Sequence, residues 1–264
     1  MHAVLLVGVA WMVGPFLWMI LSSFKRYEEI IRIPITILPQ SWVFQNYPDA
    51  LGSIPFGRLF YNTFVMAFFR IVCAVLFGNM AAYAFTRIRF PGRDVLFLFV
   101  LMQMMVPNQV FIIPQYLMLA RLGLLNTLFA LIFPALVSAY GTFLLRQFYT
   151  TLPRELEEAA IIDGCSRGTI LFRIYLPLAR SANVAVGIFT LLFSWKDLMW
   201  PLIVNGDLSK MTLSSGLSVL SGQHVTNLGV LMAGATISVV PLVGIYLIFQ
   251  RFFIAGMAGA GIKG

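Results

Sequence analysis

The residues that could carry chemistry in this chain are few, and they fall into two groups. One is an acidic cluster, Glu155, Glu157, Glu158 and Asp163, closed by Gly164. The other is the run Ser194-Trp195-Lys196-Asp197-Leu198-Met199-Trp200-Pro201, set in an otherwise apolar stretch. Neither has the makings of a catalytic centre. The two histidines, His2 and His224, stand far apart with no Cys or carboxylate cluster, so neither a metal site nor a Ser–His couple is expected. Hydrolysis within a membrane by an aspartate pair would need a second carboxylate beside Asp197, and the sequence places none at that depth. No Gly-x4-Gly-Lys-Ser/Thr phosphate loop occurs, so the chain is not expected to hold ATP in that manner. The second group suits binding better than catalysis: a tryptophan can stack on a sugar ring, and Asp197 can accept hydroxyl hydrogen bonds. On a continuous helix Trp195, Leu198 and Met199 share a face, Asp197 and Trp200 lie on a neighbouring one, and Lys196 and Asp197 do not face each other. Trp195, Lys196, Asp197 and Trp200 are therefore candidates for a substrate path, while the two tryptophans fit an interfacial aromatic belt nearly as well.

The elements that must position these groups follow from the flanking residues. Pro153 can open a short helix, because its missing N–H would have no partner in the first turn. The glutamates that follow suit the positive end of that helix. Gly164 can end it, since glycine enters the left-handed conformation without a Cβ clash. Ser166 can cap a second short helix, and Pro177 disfavours helix at Leu176, so that helix is expected to end there. The product is a helix–turn–helix between two apolar spans.

Composition bounds the rest. Of the 264 residues, 60% are hydrophobic and 11% charged, against about 45–50% and about 25% in soluble domains, and the mean hydropathy is +0.89. The backbone of such a chain must pair within each spanning segment, so helices are expected. Six spans are read at residues 3–21, 62–85, 95–114, 124–145, 181–204 and 228–250. Residues 22–57 carry Pro34, Pro39, Pro48 and Pro55 and are expected to be extended and turned; residues 205–227 read as a polar connection. The first apolar run lacks a basic start and a small-x-small cleavage site, so it reads as a retained span, and the missing basic start points to a short tail absent from this chain. Arg70 falls about 8 residues inside the second span, or about 12 Å; snorkelling to the interface and pairing with an acid both remain open. Gly78, Ala81, Ala82 and Ala84 would let that helix pack closely. Pro107, Pro114, Pro134, Pro201 and Pro241 are expected to kink their helices. Cys73 and Cys165 should lie at different depths, so no disulfide framework is implied.

The formal charge of +8 comes nearly all from arginine scattered between spans, which speaks for orientation in the membrane and not for nucleic acid. Ten of the eighteen basic residues (Arg87, Arg89, Arg93, Arg146, Arg154, Arg167, Arg173, Arg180, Arg251 and Lys263) fall on the side of the acidic loop. Six (Lys25, Arg26, Arg32, Arg58, Arg121 and Lys210) fall on the other. The loop and both termini are thus expected to be cytoplasmic.

The stretch Glu158-Ala159-Ala160, three residues, Gly164, nine residues, then Ile174-x-Leu176-Pro177 resembles the EAA loop of ABC importer permeases. Asn46-Tyr47, Asn62-Thr63, Ala81 to Ala84, Phe90 to Arg93, Pro107, Pro114, Pro153 to Glu157, Trp195 to Pro201 and the tail from Gln250 to Gly264 resemble its carbohydrate-uptake branch, and in particular a maltose-type permease subunit with the shorter six-span architecture. The resemblance implies an all-α integral membrane protein of six transmembrane helices with a cytoplasmic helix–turn–helix coupling loop at about residues 146–180. The whole chain, 1–264, would be one permease domain in the bacterial inner membrane. It would form half of a translocation path for a sugar or oligosaccharide, in contact with membrane lipid. Partners would be ABC ATPase subunits, which would hold the ATP and magnesium, a second homologous permease subunit and an extracytoplasmic solute-binding protein. The resemblance assigns ATPase coupling to Glu158, Ala159, Ala160, Asp163, Gly164, Ile174, Leu176 and Pro177, with Glu158 as the charged anchor. The family more often has Asn where Lys196 stands; a cation there would also suit a phosphorylated polyol. A gradient-driven secondary transporter is the alternative, and it would want paired internal repeats that the sequence does not display. A membrane scaffold would leave the loop and the charges at 196–197 unexplained.

Overall fold

The computed structural model describes residues 2–223 and 227–261; His224, Lys263 and Gly264 lie outside them. Every regular element among the described residues is helical. In chain order these are α1 (His2–Ser22), α2 (Tyr27–Ile31), α3 (Asn46–Ser53), α4 (Phe56–Arg87), α5 (Arg93–Met105), α6 (Ile112–Arg121), α7 (Leu128–Ile132), α8 (Ala139–Thr150), α9 (Glu155–Ile162), α10 (Arg167–Ile170), α11 (Leu176–Leu178), α12 (Arg180–Trp195), α13 (Met199–Val204), α14 (Leu213–Gln223) and α15 (Leu228–Gly261). Leu5–Ser22, Phe56–Arg87 and Leu228–Ile248 are each long and apolar enough to cross a membrane. Three bent pairs raise the number to at most six: Arg93–Met105 with Asn108–Arg121 at 102°, Leu128–Ala135 with Ala139–Thr150 at 42°, and Arg167–Leu178 with Arg180–Trp195 at 78°. Two spans expected to be kinked at Pro107 and Pro134 are broken outright close to those prolines. Val106 takes an extended backbone ahead of Pro107, as a residue before proline prefers. Pro134 sits in a single 3-10 turn, Phe133–Ala135. Pro114 falls in the first turn of α6, where no N–H is missed, and Pro241 leaves α15 uninterrupted.

The chain divides into two compact units. The first comprises Met1–Asn62, Asp197–Leu202 and Gly206–Leu247. The segment expected to be largely extended and turned also contains α2 and α3, and it is pinned by side chains. The buried Asn46 donates from Nδ2 to the carbonyls of Ser23 and Lys25, both at 2.9 Å. Lys25 is wholly buried, donates to the Thr36 carbonyl, and lies 4.4 Å from the Trp18 ring centroid. Glu29 accepts from Thr36 Oγ1 at 3.0 Å and from the Gln40 amide at 2.8 Å. The polar connection also contains a helix, α14. Leu213, Gly216, Leu217 and Leu220 form a stripe with the period of a helix, and a Cβ on Gly216 would stand 2.4 Å from Leu59 Cδ1.

The second unit comprises Thr63–Lys196, Ile203–Asn205 and Ile248–Gly264. Its core is Ala74, Ala82, Tyr83, Leu145, Tyr149, Ala160, Ile170, Leu171, Tyr175, Ala179, Ala182 and Val186. Residues of the loop 146–180 are thus part of the core and not an appendage. The small residues of α4 allow close approach: a Cβ on Gly78 would lie 3.1 Å from Leu145 Cδ1 on α8. Arg70 is buried and donates from Nε at 3.0 Å, and from Nη2, to the carbonyl of Leu131 on α7. Pro134, three residues on, has no N–H to offer that carbonyl.

Candidate functional site

The loop folds as its capping residues direct. Gly164 has φ +78°. The Gly164 amide donates to the Ile161 carbonyl at 3.0 Å and the Cys165 amide to the Ala160 carbonyl at 2.9 Å, the paired bonds of a Schellman stop. Ser166 Oγ accepts from the Thr169 amide at 3.2 Å and caps α10. α9 begins at Glu155, two residues after Pro153. The expectation that helix ends at Leu176 is corrected. α10 runs into a π-helical turn, Leu171–Tyr175, and α11 carries the helix through Pro177 to Leu178. The Leu176 amide donates to Leu171, five residues back, so the ladder has widened by one residue just ahead of the proline.

This geometry gives α9 two faces. Glu158, Ala159, Asp163 and Gly164 are exposed, as are Ile161 at 53% and Ile162 at 85%. Ala160 is buried in the core of the second unit, so its small side chain is required by packing within this chain. Ile174 and Leu176 are half-buried and Pro177 is exposed. Neither of the ion pairs between Arg87 and Glu157 and between Arg93 and Asp94 includes Glu158, so the helix pair with Arg154 that the spacing permits is not made.

Sequence reasoning passed over the neighbouring acid. Glu157 turns inward: its Oε1 accepts from Tyr83 Oη at 2.9 Å, its Oε2 from Tyr175 Oη at 3.3 Å, and Oε2 lies 3.7 Å from Arg87 Nε. Arg87 Nη2 donates to the carbonyls of Tyr149 at 3.0 Å and Leu152 at 2.7 Å, and its guanidinium lies 5.3 Å from the Tyr175 ring centroid. Burial pushes the Tyr175 phenol up to about 12; Glu157 adds to the shift and Arg87 opposes it, so the hydroxyl stays a donor at physiological pH. A second polar contact set shares α4 and α8 with the first and adds α11 and α12. Asn79 donates to Asn183 Oδ1 at 2.6 Å, Asn183 donates to the Leu176 carbonyl at 3.1 Å, and Tyr149 Oη donates to Asn79 Oδ1. The signal for this cluster was present: Tyr83 and Arg87 are four apart on α4, and Glu157 shares a face with Ala160.

Trp195, Lys196, Asp197 and Trp200 do not lie on one helix. α12 ends at Trp195 and α13 starts at Met199, which corrects the helical-face reading. Pro201 explains the gap. In a continuous helix its ring would meet the Asp197 carbonyl, whereas a restart at Met199 puts it in a first turn. Trp195 is buried, with its ring edge-on to Phe64 at 5.3 Å, and Lys196 is exposed with Nζ 4.7 Å from the Phe193 ring; both belong to the second unit. Asp197 is half-buried and Trp200 buried, in the first unit. Among the described residues no cluster of His, Cys, Asp or Glu could hold a metal.

Residues 74–259 match the model of a protein family described as "Binding-protein-dependent transport system inner membrane component". The chain is 35% identical over 255 residues to the arabinooligosaccharides transport system permease protein AraQ of Halalkalibacterium halodurans, covering 96% of this chain and 91% of that one. It is 34% identical to the diacetylchitobiose uptake system permease protein NgcG of Streptomyces coelicolor (98% and 87% covered) and 32% identical to the sn-glycerol-3-phosphate transport system permease protein UgpE of Yersinia enterocolitica (97% and 94%). Among solved structures, a chain of a bacterial ABC transporter involved in the import of the acidic polysaccharide alginate shares the fold, with a TM-score of 0.82 at 24% identity over 96% of this chain and 95% of that one.

Proposed function

The chain belongs to the family of binding-protein-dependent transport system inner membrane components, and from that premise we propose that it is the permease subunit of an ATP-driven importer of a carbohydrate. It forms half of the path, beside a second homologous permease, and receives its substrate from an extracytoplasmic binding protein. Relatives named for arabinooligosaccharides, diacetylchitobiose and sn-glycerol-3-phosphate support a sugar or phosphorylated polyol as cargo. The exposed ammonium of Lys196 suits a cargo with an anionic group. ATP and magnesium belong to a separate ATPase, and the loop 146–180 is the cytoplasmic element that docks on it.

One observation carries the docking reading: α9 is anchored on its inner face and leaves Glu158, Ala159 and Ile162 exposed on its outer one. A charged loop presenting a bare isoleucine beside an acid and a small residue has the makings of a protein contact. Glu158→Lys should insert normally, lose the ATPase on purification and abolish uptake. Gly164→Leu should do the same for another reason. Nothing lies within 4 Å of the site of its Cβ, so the damage comes from a left-handed φ of +78°, which costs a non-glycine residue about 1–2 kcal/mol. A pull-down of the ATPase by each variant, paired with uptake, tests this. Retention and transport at wild-type levels in both would remove the loop from the coupling role.

A further inference from the structure

We propose that Glu157, which the family-motif reading leaves without a role, is the positioning residue that ties the docking helix to α4, so that displacement of α9 moves α4 with it. The proposal rests on the coupling role given above to the loop. Its observation is that one carboxylate joins segments far apart in sequence. Glu157 on α9 accepts from Tyr83, near the end of α4, and from Tyr175, in the π-helical turn, and it pairs with Arg87, the last residue of α4. Arg87 in turn donates to two carbonyls at the end of α8 and just beyond it. The side chains of the ion pair are 5% exposed for Arg87 and 15% for Glu157, so water does little to loosen it. The asparagine contacts tie α4 to α12 and α12 to α11.

Adjacent glutamates therefore divide the work. Glu158 faces outward and is available to a partner; Glu157 faces inward and is held by this chain. α4 is a single helix of 32 residues, and its terminal Arg87 is the residue held. A push on α9 is delivered through Glu157 to the end of that helix. Without the tie, α9 would still dock but would move apart from the bundle.

The experiment uses the assembled importer, with ATPase and binding protein, in proteoliposomes, and reads the ratio of substrate transported to ATP hydrolysed. A merely destabilised permease lowers both quantities and leaves their ratio alone. Glu157→Gln keeps the length of the side chain and one oxygen that can accept from a single tyrosine hydroxyl, and leaves Arg87 its two carbonyls, so assembly should survive. We expect ATPase subunits retained at the wild-type stoichiometry and a fall of about tenfold or more in the transport-to-hydrolysis ratio. Glu157→Asp should restore part of it. A wild-type ratio in Glu157→Gln overturns the proposal, and so does loss of the ATPase subunits, which would assign Glu157 to docking. If the Glu157→Gln permease does not insert into the membrane at all, Tyr83→Phe with Tyr175→Phe removes both hydroxyl donors and spares the ion pair; a wild-type ratio there overturns the proposal equally. Glu158→Lys, run in parallel, separates the two ideas: retention of ATPase and uptake by that variant counts against the docking reading alone.

Discussion

At the scale of single residues, exposure decides what a substitution reports. Glu158 is exposed and makes no ion pair among the described residues, so a change there should alter the fold by less than about 0.5 kcal/mol and be read almost entirely in binding. If its partner on the ATPase is a buried base, loss of the pair costs the complex about 2–5 kcal/mol, and a compensating charge on that surface should rescue Glu158→Lys. It should not rescue Gly164→Leu, where the fault is backbone strain. Trp200 and Asp197 call for opposite handling. Trp200 is 5% exposed, and Trp200→Ala would open a cavity costing about 3–5 kcal/mol, so lost uptake there reports assembly as much as transport. Asp197 is half-buried outside any helix, and Asp197→Asn keeps its volume. We expect Asp197→Asn to lower uptake at matched expression while subunit stoichiometry stays at the wild-type value. Normal uptake by that variant would take Asp197 out of the substrate path.

At the scale of elements, the stop at Gly164 and the start at Ser166 were legible because each rests on local backbone chemistry: a left-handed glycine, a serine cap. What escaped depends on partners distant in sequence. The π-helical turn absorbs Pro177, and the inward face of α9 is defined by Tyr83 and Arg87, 74 and 70 residues away. α14 escaped for a different reason: its serines and glycines read as polar, although Leu213, Leu217 and Leu220 keep a helical period. Packing around it yields a prediction. A Cβ on Gly216 would meet the tip of Leu59, 2.4 Å away, and a flexible leucine can turn aside. A Cβ on Gly229 would meet the Lys25 carbonyl and Asn46 Nδ2, both at 2.6 Å, and that carbonyl is already held by Asn46. Gly229→Ala should therefore lower the unfolding temperature of the purified subunit more than Gly216→Ala does, although its nearest contact is the longer of the two. Asn62→Ala should cost about 1–3 kcal/mol, since Nδ2 serves the carbonyls of Ser209 at 3.0 Å and Met211 at 2.8 Å, which would lose their donor. Equal melting curves for both glycine variants would mean that the Lys25 segment yields as easily as a leucine tip.

At the scale of the whole molecule, coupling depends on which side of the membrane the loop occupies, because an ATPase can meet it on one side only. Energy source is the first check: uptake should survive collapse of the proton gradient and fail when ATP is withdrawn, the reverse of what a gradient-driven carrier would do. Orientation is the second, and it rests on the ten-to-six division of basic residues between the two sides, a modest bias. Labelling sites must be exposed in the folded chain, or silence would mean burial and not sidedness. Ile162 at 85% exposure and the exposed Arg89 serve one side; Ile33 at 91% and the exposed Gly206 serve the other. The native thiols, Cys73 and Cys165, are free and must be replaced first, since Cys165 lies in the loop itself. In intact cells an impermeant maleimide should then label Ile33→Cys and Gly206→Cys and leave Arg89→Cys and Ile162→Cys untouched until the membrane is permeabilised. The inverse pattern would put α9 outside, where no ATPase could reach Glu158. In that case the buried Glu157 cluster would remain a feature of the fold with no part in coupling.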